Sequence, residues 1–220
     1  MRLPQGICFA VFLFGNLSAT DQPAATVWQL DQTAAVGGHP ATVLGAPRVV
    51  ADATGKAVEF NGATDGLLLP VNPLAGLAQF TIEALIKPDA SGPAEQRFLH
   101  LQDEPGSRVL LELRLTDAGW ALDTFLHAGN PPSERPLLDR TKLHPANRWT
   151  WVALVYANGH MMHYVDGVKE LEGNVTFPPM ADGSTSLGVR QNKVSWFKGV
   201  IREVRFHPAA LKSEALQRLP

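Results

Sequence analysis

Residues 149–167 read WTWVALVYANGHMMHYVDG, and this stretch decides the fold class. Trp149 to Tyr156 is rich in aromatic and β-branched residues, which suit a pleated and largely buried strand. Asn158-Gly159 then supplies the strongest short hairpin signal, because both central residues of a type I′ turn need positive φ. His160 to Val165 reads as the returning strand, and Asp166-Gly167 turns the chain again. Trp149 to about Glu172 is therefore expected to form a three-stranded antiparallel meander. Trp149 and Trp151 share a strand face and read as core.

Similar signals recur on either side. Phe80, Ile82, Ala84 and Ile86 alternate with Thr81, Glu83, Leu85 and Lys87 until Pro88 stops the run. A period of two marks a half-buried strand. Val109, Leu111, Leu113 and Leu115 share a face, Thr116 to Gly119 turns the chain, and Trp120, Leu122 and Leu126 return opposite the leucines, so this pair is expected to be a hairpin. Lys212 to Arg218 is the one helical candidate, with Ser213 as N-cap, and it is too short to shape the architecture. No internal repeat or long linker interrupts the chain. The expectation is an all-β single domain over residues 26–216, a two-sheet antiparallel jelly-roll sandwich in which neither sheet need present an open edge.

Composition allows such a core. Of 220 residues, 45% are hydrophobic and 18% charged, an ordinary globular balance. Nineteen Lys and Arg against 21 Asp and Glu give a net charge of −2 with no long run of either sign. That argues against nucleic acid and anionic membrane surfaces as partners, since both demand clustered positive charge. Arg2 followed by the apolar run Ile7 to Phe14 reads as a signal peptide over residues 1–19, cut somewhere in 18–25. The run is about half of the roughly 20 residues that a spanning helix needs. An exported protein, periplasmic or extracellular, is expected, with no membrane insertion after cleavage. Cys8 is the sole cysteine and lies inside that run, so the mature chain would hold no disulfide or thiolate site.

Four segments, in order, resemble the laminin-G-like jelly-roll domains of the concanavalin A-like lectin and glucanase superfamily. They are Ala57 to Gly62, Phe80 to Pro88, Trp149 to Gly167, and Ser186 to Val189 followed by Phe197 to Phe206 with Ala210-Leu211. The resemblance spans nearly the whole mature chain. It implies a scaffold whose members bind glycans, proteins or calcium, without naming a ligand. One position departs from the family: an acidic residue often follows Gly-x-Ile in the closing strand, and here it is Arg202. A guanidinium cannot coordinate a cation, so calcium is disfavoured and no cofactor is expected. Asp31, in a segment resembling the family's opening strand, is expected as a partner for Arg202, and as a metal ligand only if calcium is bound.

For chemistry, Glu112 and Asp123 stand opposite each other if Thr116 pairs with Gly119, with Arg114 two residues away on the same face. Paired carboxylates about 5 Å apart serve retaining glycoside hydrolysis. The same face read blandly is solvated, with Arg114 screening both acids, and a one-residue slip would separate them. His160 and His163 point to opposite sides of a strand and cannot share an ion. No nucleophile elbow, phosphate loop or dinucleotide fingerprint is present. The loop Arg190, Gln191, Asn192 to Trp196 combines polar groups with an aromatic face and suits a saccharide edge, although Trp196 also reads as core packing beneath the loop. The expected function is a non-catalytic module that binds carbohydrate or an extracellular protein. Two alternatives stay open: a glycan-degrading enzyme, hydrolase or lyase, using Glu112 and Asp123, and a structural or protein-interaction domain.

Overall fold

The structure, a computed structural model, describes residues 24–219. The expected signal segment, residues 1–19, and Cys8 lie outside them. Five short strands come first: β1 (Thr26–Gln29), β2 (Ala35–Val36), β3 (His39–Pro40), β4 (Thr42–Leu44) and β5 (Arg48–Asp52). The rest are β6 (Gly55–Asn61), β7 (Gly66–Leu69), β8 (Phe80–Pro88), β9 (Glu95–Asp103), β10 (Arg108–Thr116), β11 (Gly119–Ala128), β12 (Ser133–Leu138), β13 (Thr150–Ala157), β14 (His160–Val165), β15 (Val168–Asn174), β16 (Gly183–Leu187) and β17 (Lys198–His207).

All but β2 and β3, which pair only with each other, build two antiparallel sheets stacked as a jelly-roll sandwich. Sheet A runs β15-β14-β13-β8-β17-β6-β5, with β1 also on β17, and sheet B runs β12-β11-β10-β9-β16-β7-β4. The hairpin turns set the register as expected. Asn158 and Gly159 have φ of 51° and 78°, and Asp166 and Gly167 have 45° and 74°, so the meander β13-β14-β15 forms as its turn residues require. Both sheets do end on unpaired edges, at β15 and β5 and at β12 and β4, contrary to the closed arrangement expected.

Period-two alternation places the core between the sheets. Ile82, Ala84, Ile86 and Leu154 from sheet A meet Leu111, Leu113 and Leu122 from sheet B, all essentially inaccessible. Burying each large side chain contributes about 1.5–3 kcal/mol. The tryptophans that fill the interior are Trp28 and Trp120. Trp149 and Trp151 lie instead on the outer face of sheet A, where Arg202 stacks 4.1 Å from the Trp149 centroid and Arg205 5.3 Å from that of Trp151.

Part of that outer face is covered by the chain itself, which corrects the half-buried reading of β8 over Thr81 to Leu85. Thr81 Oγ1 donates to the Ala209 carbonyl (2.8 Å) and accepts from the Leu211 amide (2.9 Å). Glu83 accepts from the Gln217 amide at 2.6 Å, and His207 Nε2 lies 2.9 Å from its other oxygen. Leu216 packs on Ala153, Val155 and Tyr164. Residues 208–217 are thus a strap over sheet A rather than a helix. Only Ser213–Ala215 forms a 3-10 turn, with Lys212, not Ser213, at its cap position.

Candidate functional site

Both sheets leave space on their outer faces: Glu59, Lys87 and Val200 border a cavity of about 450 Å³ on the part of sheet A that the strap does not reach, and the outer face of sheet B gathers charged side chains around a depression of its own. Thr116 pairs with Gly119, and Glu112 faces Asp123 directly. Val109, Leu111 and Leu113 point inward, so Arg108, Leu110, Glu112 and Arg114 of β10 point outward, beside Asp123 and Phe125 of β11. β9 contributes Arg97 through a bulge: the register shifts between Leu111, which faces Leu99, and Glu112, which faces Arg97. Both Phe98 and Leu99 can then enter the core while Arg97 turns outward next to Glu112.

These groups line a depression of about 260 Å³. Arg114 Nη2 stands 2.6 Å from Asp123 Oδ2 and 3.2 Å from Glu112 Oε2, bridging the two carboxylates. Arg97 Nε lies 3.0 Å from Glu112 Oε1 and also pairs with Glu95. The acids are not solvated; their side chains are 3% and 5% exposed. Burial pushes the Glu112 carboxyl up to about 7, with Arg97 opposing the rise and the Asp123 charge adding to it. Burial raises Asp123 as well, against the pull of Arg114 and Arg97.

The loop after β16 closes one side. Gly188 and Phe197 join its ends, with the Phe197 amide donating to the Gly188 carbonyl (2.8 Å) and the Gly188 amide to the Phe98 carbonyl (3.0 Å). Arg97 Nη1 donates to Ser195 Oγ at 2.6 Å, tying loop and acid pair together. His100, buried on β9, accepts the Gln191 amide at Nδ1 (3.1 Å). Its imidazole is held down to about 3, chiefly by burial and then by Arg190, Arg108 and Arg97, so it stays a neutral acceptor.

The two sets of residues singled out from sequence therefore meet, but only in part. Arg190 reaches the same depression as Glu112 and Asp123. Gln191 is committed to the fold, exchanging hydrogen bonds with Ser184 at 2.9 and 2.8 Å, and borders a separate cavity of about 430 Å³. Asn192 is exposed on the loop, and Trp196 is half-buried, outside both the core cluster and the depression. Sequence reasoning missed Arg97, Arg108 and Phe125. Phe125 is half-buried with its ring nearly parallel to that of His127, at an interplanar angle of 19°. It offers the aromatic surface that Trp196 was expected to give.

Arg202 does not pair with Asp31. It bonds to Asp52 at 2.6 Å and to Thr54, above Trp149, whose Nε1 donates to Asp52 at 3.1 Å. His160 and His163 separate as expected: His160 is on the surface with Asn174 and Glu172, and His163 is buried against Thr124 of the opposite sheet.

Among known proteins, a family model described as the concanavalin A-like lectin/glucanases superfamily matches residues 61–217. No curated protein matches the chain. Domain 4 of a GH43 extracellular arabinanase from Geobacillus stearothermophilus, solved with arabinotriose, is similar at a TM-score of 0.64 and 24% identity, covering 88% of this chain and 97% of that one. The ligand binding domain of botulinum neurotoxin serotype D, solved with N-acetylneuraminic acid, gives 0.63 at 16% identity over 86% of this chain and 48% of that one. An SAP-like pentraxin from Limulus polyphemus gives 0.54 at 17% identity, covering 70% and 76%. At such identities these likenesses establish the jelly-roll architecture and nothing finer.

Proposed function

Since the chain belongs to the concanavalin A-like lectin/glucanase superfamily, we propose that it is an exported, non-catalytic module that binds carbohydrate on the outer face of sheet B. The observation that carries this reading is the depression itself, where Phe125 supplies an apolar ring face and Arg108 and Arg190 supply forked donors, the combination that holds a sugar ring and its oxygens. Two proteins of the same architecture are solved with saccharides, which supports the ligand class. Export rests on the expected signal segment and agrees with an extracellular neighbour. Among the described residues no helix is long and apolar enough to cross a membrane.

The non-catalytic part rests on Arg114. A retaining glycosidase places the scissile bond between its two carboxyl groups. Here the Arg114 guanidinium already bridges Glu112 and Asp123 and shields both. One observation favours the enzymatic alternative: a carboxyl raised to about 7 is poised as a general acid. A glycan array followed by a turnover assay decides. Saccharide binding without release of reducing sugar or unsaturated product is the expected result. Turnover abolished by Glu112→Gln in a folded protein overturns the non-catalytic claim. A protein partner captured with no saccharide bound overturns the carbohydrate claim.

A further inference from the structure

We propose that the saccharide is anionic, its carboxylate or sulfate received by Arg108 and Arg190 while a sugar ring rests on Phe125; this inference rests on the carbohydrate-binding reading above. Four guanidinium groups converge on the depression, those of Arg97, Arg108, Arg114 and Arg190. Arg97 and Arg114 are engaged by Glu95, Glu112 and Asp123. Among the described residues, no carboxylate lies within ion-pairing distance of Arg108 or Arg190. Arg108 Nε is buried and makes no hydrogen bond. A buried cationic donor without an acceptor is costly, and an arriving oxyanion with two lone-pair faces relieves that cost with charge-assisted bonds.

The surroundings do not cancel this charge. Burial and the neighbouring Arg108 and Arg97 depress Arg190, as happens where cations crowd together. Glu112, raised to about 7, is only partly ionised at neutral pH and so balances less than a full charge. Phe125 beside the guanidiniums distinguishes a sugar acid from a bare inorganic anion, because only the former has a ring to stack. The volume, about 260 Å³, is room for one sugar unit, smaller than the ~300–1,000 Å³ typical of drug-sized pockets.

Calorimetry with three probes tests this: an oligogalacturonate, its fully methyl-esterified counterpart, and a heparin-derived tetrasaccharide. Binding of at least one anionic probe is expected, with oligogalacturonate marking a carboxylate ligand and the heparin fragment a sulfate. Removing one charge-assisted bond corresponds to about tenfold in affinity, which is the loss expected for Arg108→Gln, for Arg190→Gln and, if the ligand is a uronate, for esterification. Both variants should keep the wild-type thermal midpoint, and Lys56→Gln, on the other sheet, should bind as wild type. Equal binding of the ester and the acid, or wild-type affinity in both arginine variants, overturns the proposal. Binding of neutral saccharides alone overturns it while leaving the carbohydrate reading intact; binding of no saccharide removes both.

Discussion

Glu112 and Asp123 face each other across the β10–β11 hairpin and share one guanidinium nitrogen, Nη2 of Arg114. Three groups in so little space depend on one another, since without the cation Asp123 is a buried and uncompensated charge and Glu112 keeps only Arg97. Arg114→Met is expected to destabilise the protein at pH 8 by about 3–5 kcal/mol, the usual result of breaking a buried ion pair from one side. Chemical denaturation measures it. A variant as stable as wild type would mean that the acids are neutral without Arg114.

Glu112 also sets a pH dependence. Its folded value of about 7 lies above its ordinary 4.5, so between these the native state holds a proton that the unfolded chain has released. Stability from this group is therefore greatest below pH 4.5 and falls as pH rises to 7, by about 3 kcal/mol in all. Urea midpoints of wild type and Glu112→Gln should diverge across that window and run parallel above it. Parallel curves throughout refute the assignment.

His163 works in the opposite direction. Burial holds its imidazole down to about 4 from 6.5, so in that interval the unfolded chain binds a proton and the native state does not. Stability is lost as pH falls from 6.5 to 4, by about 3 kcal/mol. His163→Gln should flatten this limb, and imidazole nitrogen shifts should report a neutral His163 at pH 5. A charged ring at that pH would contradict the assignment.

Gly188 has φ of 78° and packs on Phe60, whose ring a Cβ would strike. Gly188→Ala combines left-handed strain with overpacking and is expected to cost about 3 kcal/mol. Because Gly188 anchors the loop carrying Arg190, ligand affinity should fall along with the thermal midpoint. A stable variant with wild-type binding would show that the loop does not depend on this anchor.

Arg202 stacks on Trp149 and bonds to Asp52, whose carboxyl is held well below its ordinary range first by Thr54 and then by Arg202. With a cation already on this acid, millimolar calcium should leave the thermal midpoint unchanged. A rise reversed by chelation would place a metal ligand set elsewhere.

Local chemistry made the register readable: Asn158-Gly159 and Thr116 to Gly119 fix which residues stand opposite, and Glu112 beside Asp123 follows from the second of these. What stayed hidden depended on distant contacts. Arg97 turns outward only because β9 bulges, and Phe98-Leu99 reads as plain alternation in one dimension. Arg108 looks like any outward residue until the loop after β16 folds beside it. Trp149 and Trp151 read as core because a strand pattern shows that they share a face but not which one. Asp52, 150 positions from Arg202, carries no local mark of their pairing.

The strap of residues 208–217 seals the part of sheet A built on Thr81, Glu83, Ala153 and Tyr164 against any ligand, leaving the rest of that sheet and the outer face of sheet B open to approach. If the proposed carbohydrate site on sheet B is the binding surface, one shallow site of about 260 Å³ would grip a polymer weakly. Firm attachment on that proposal would come from repetition, several copies held on a common support. Joining two copies by a linker that spans neighbouring sugars should raise apparent affinity by roughly 10²–10⁴ without any new contact.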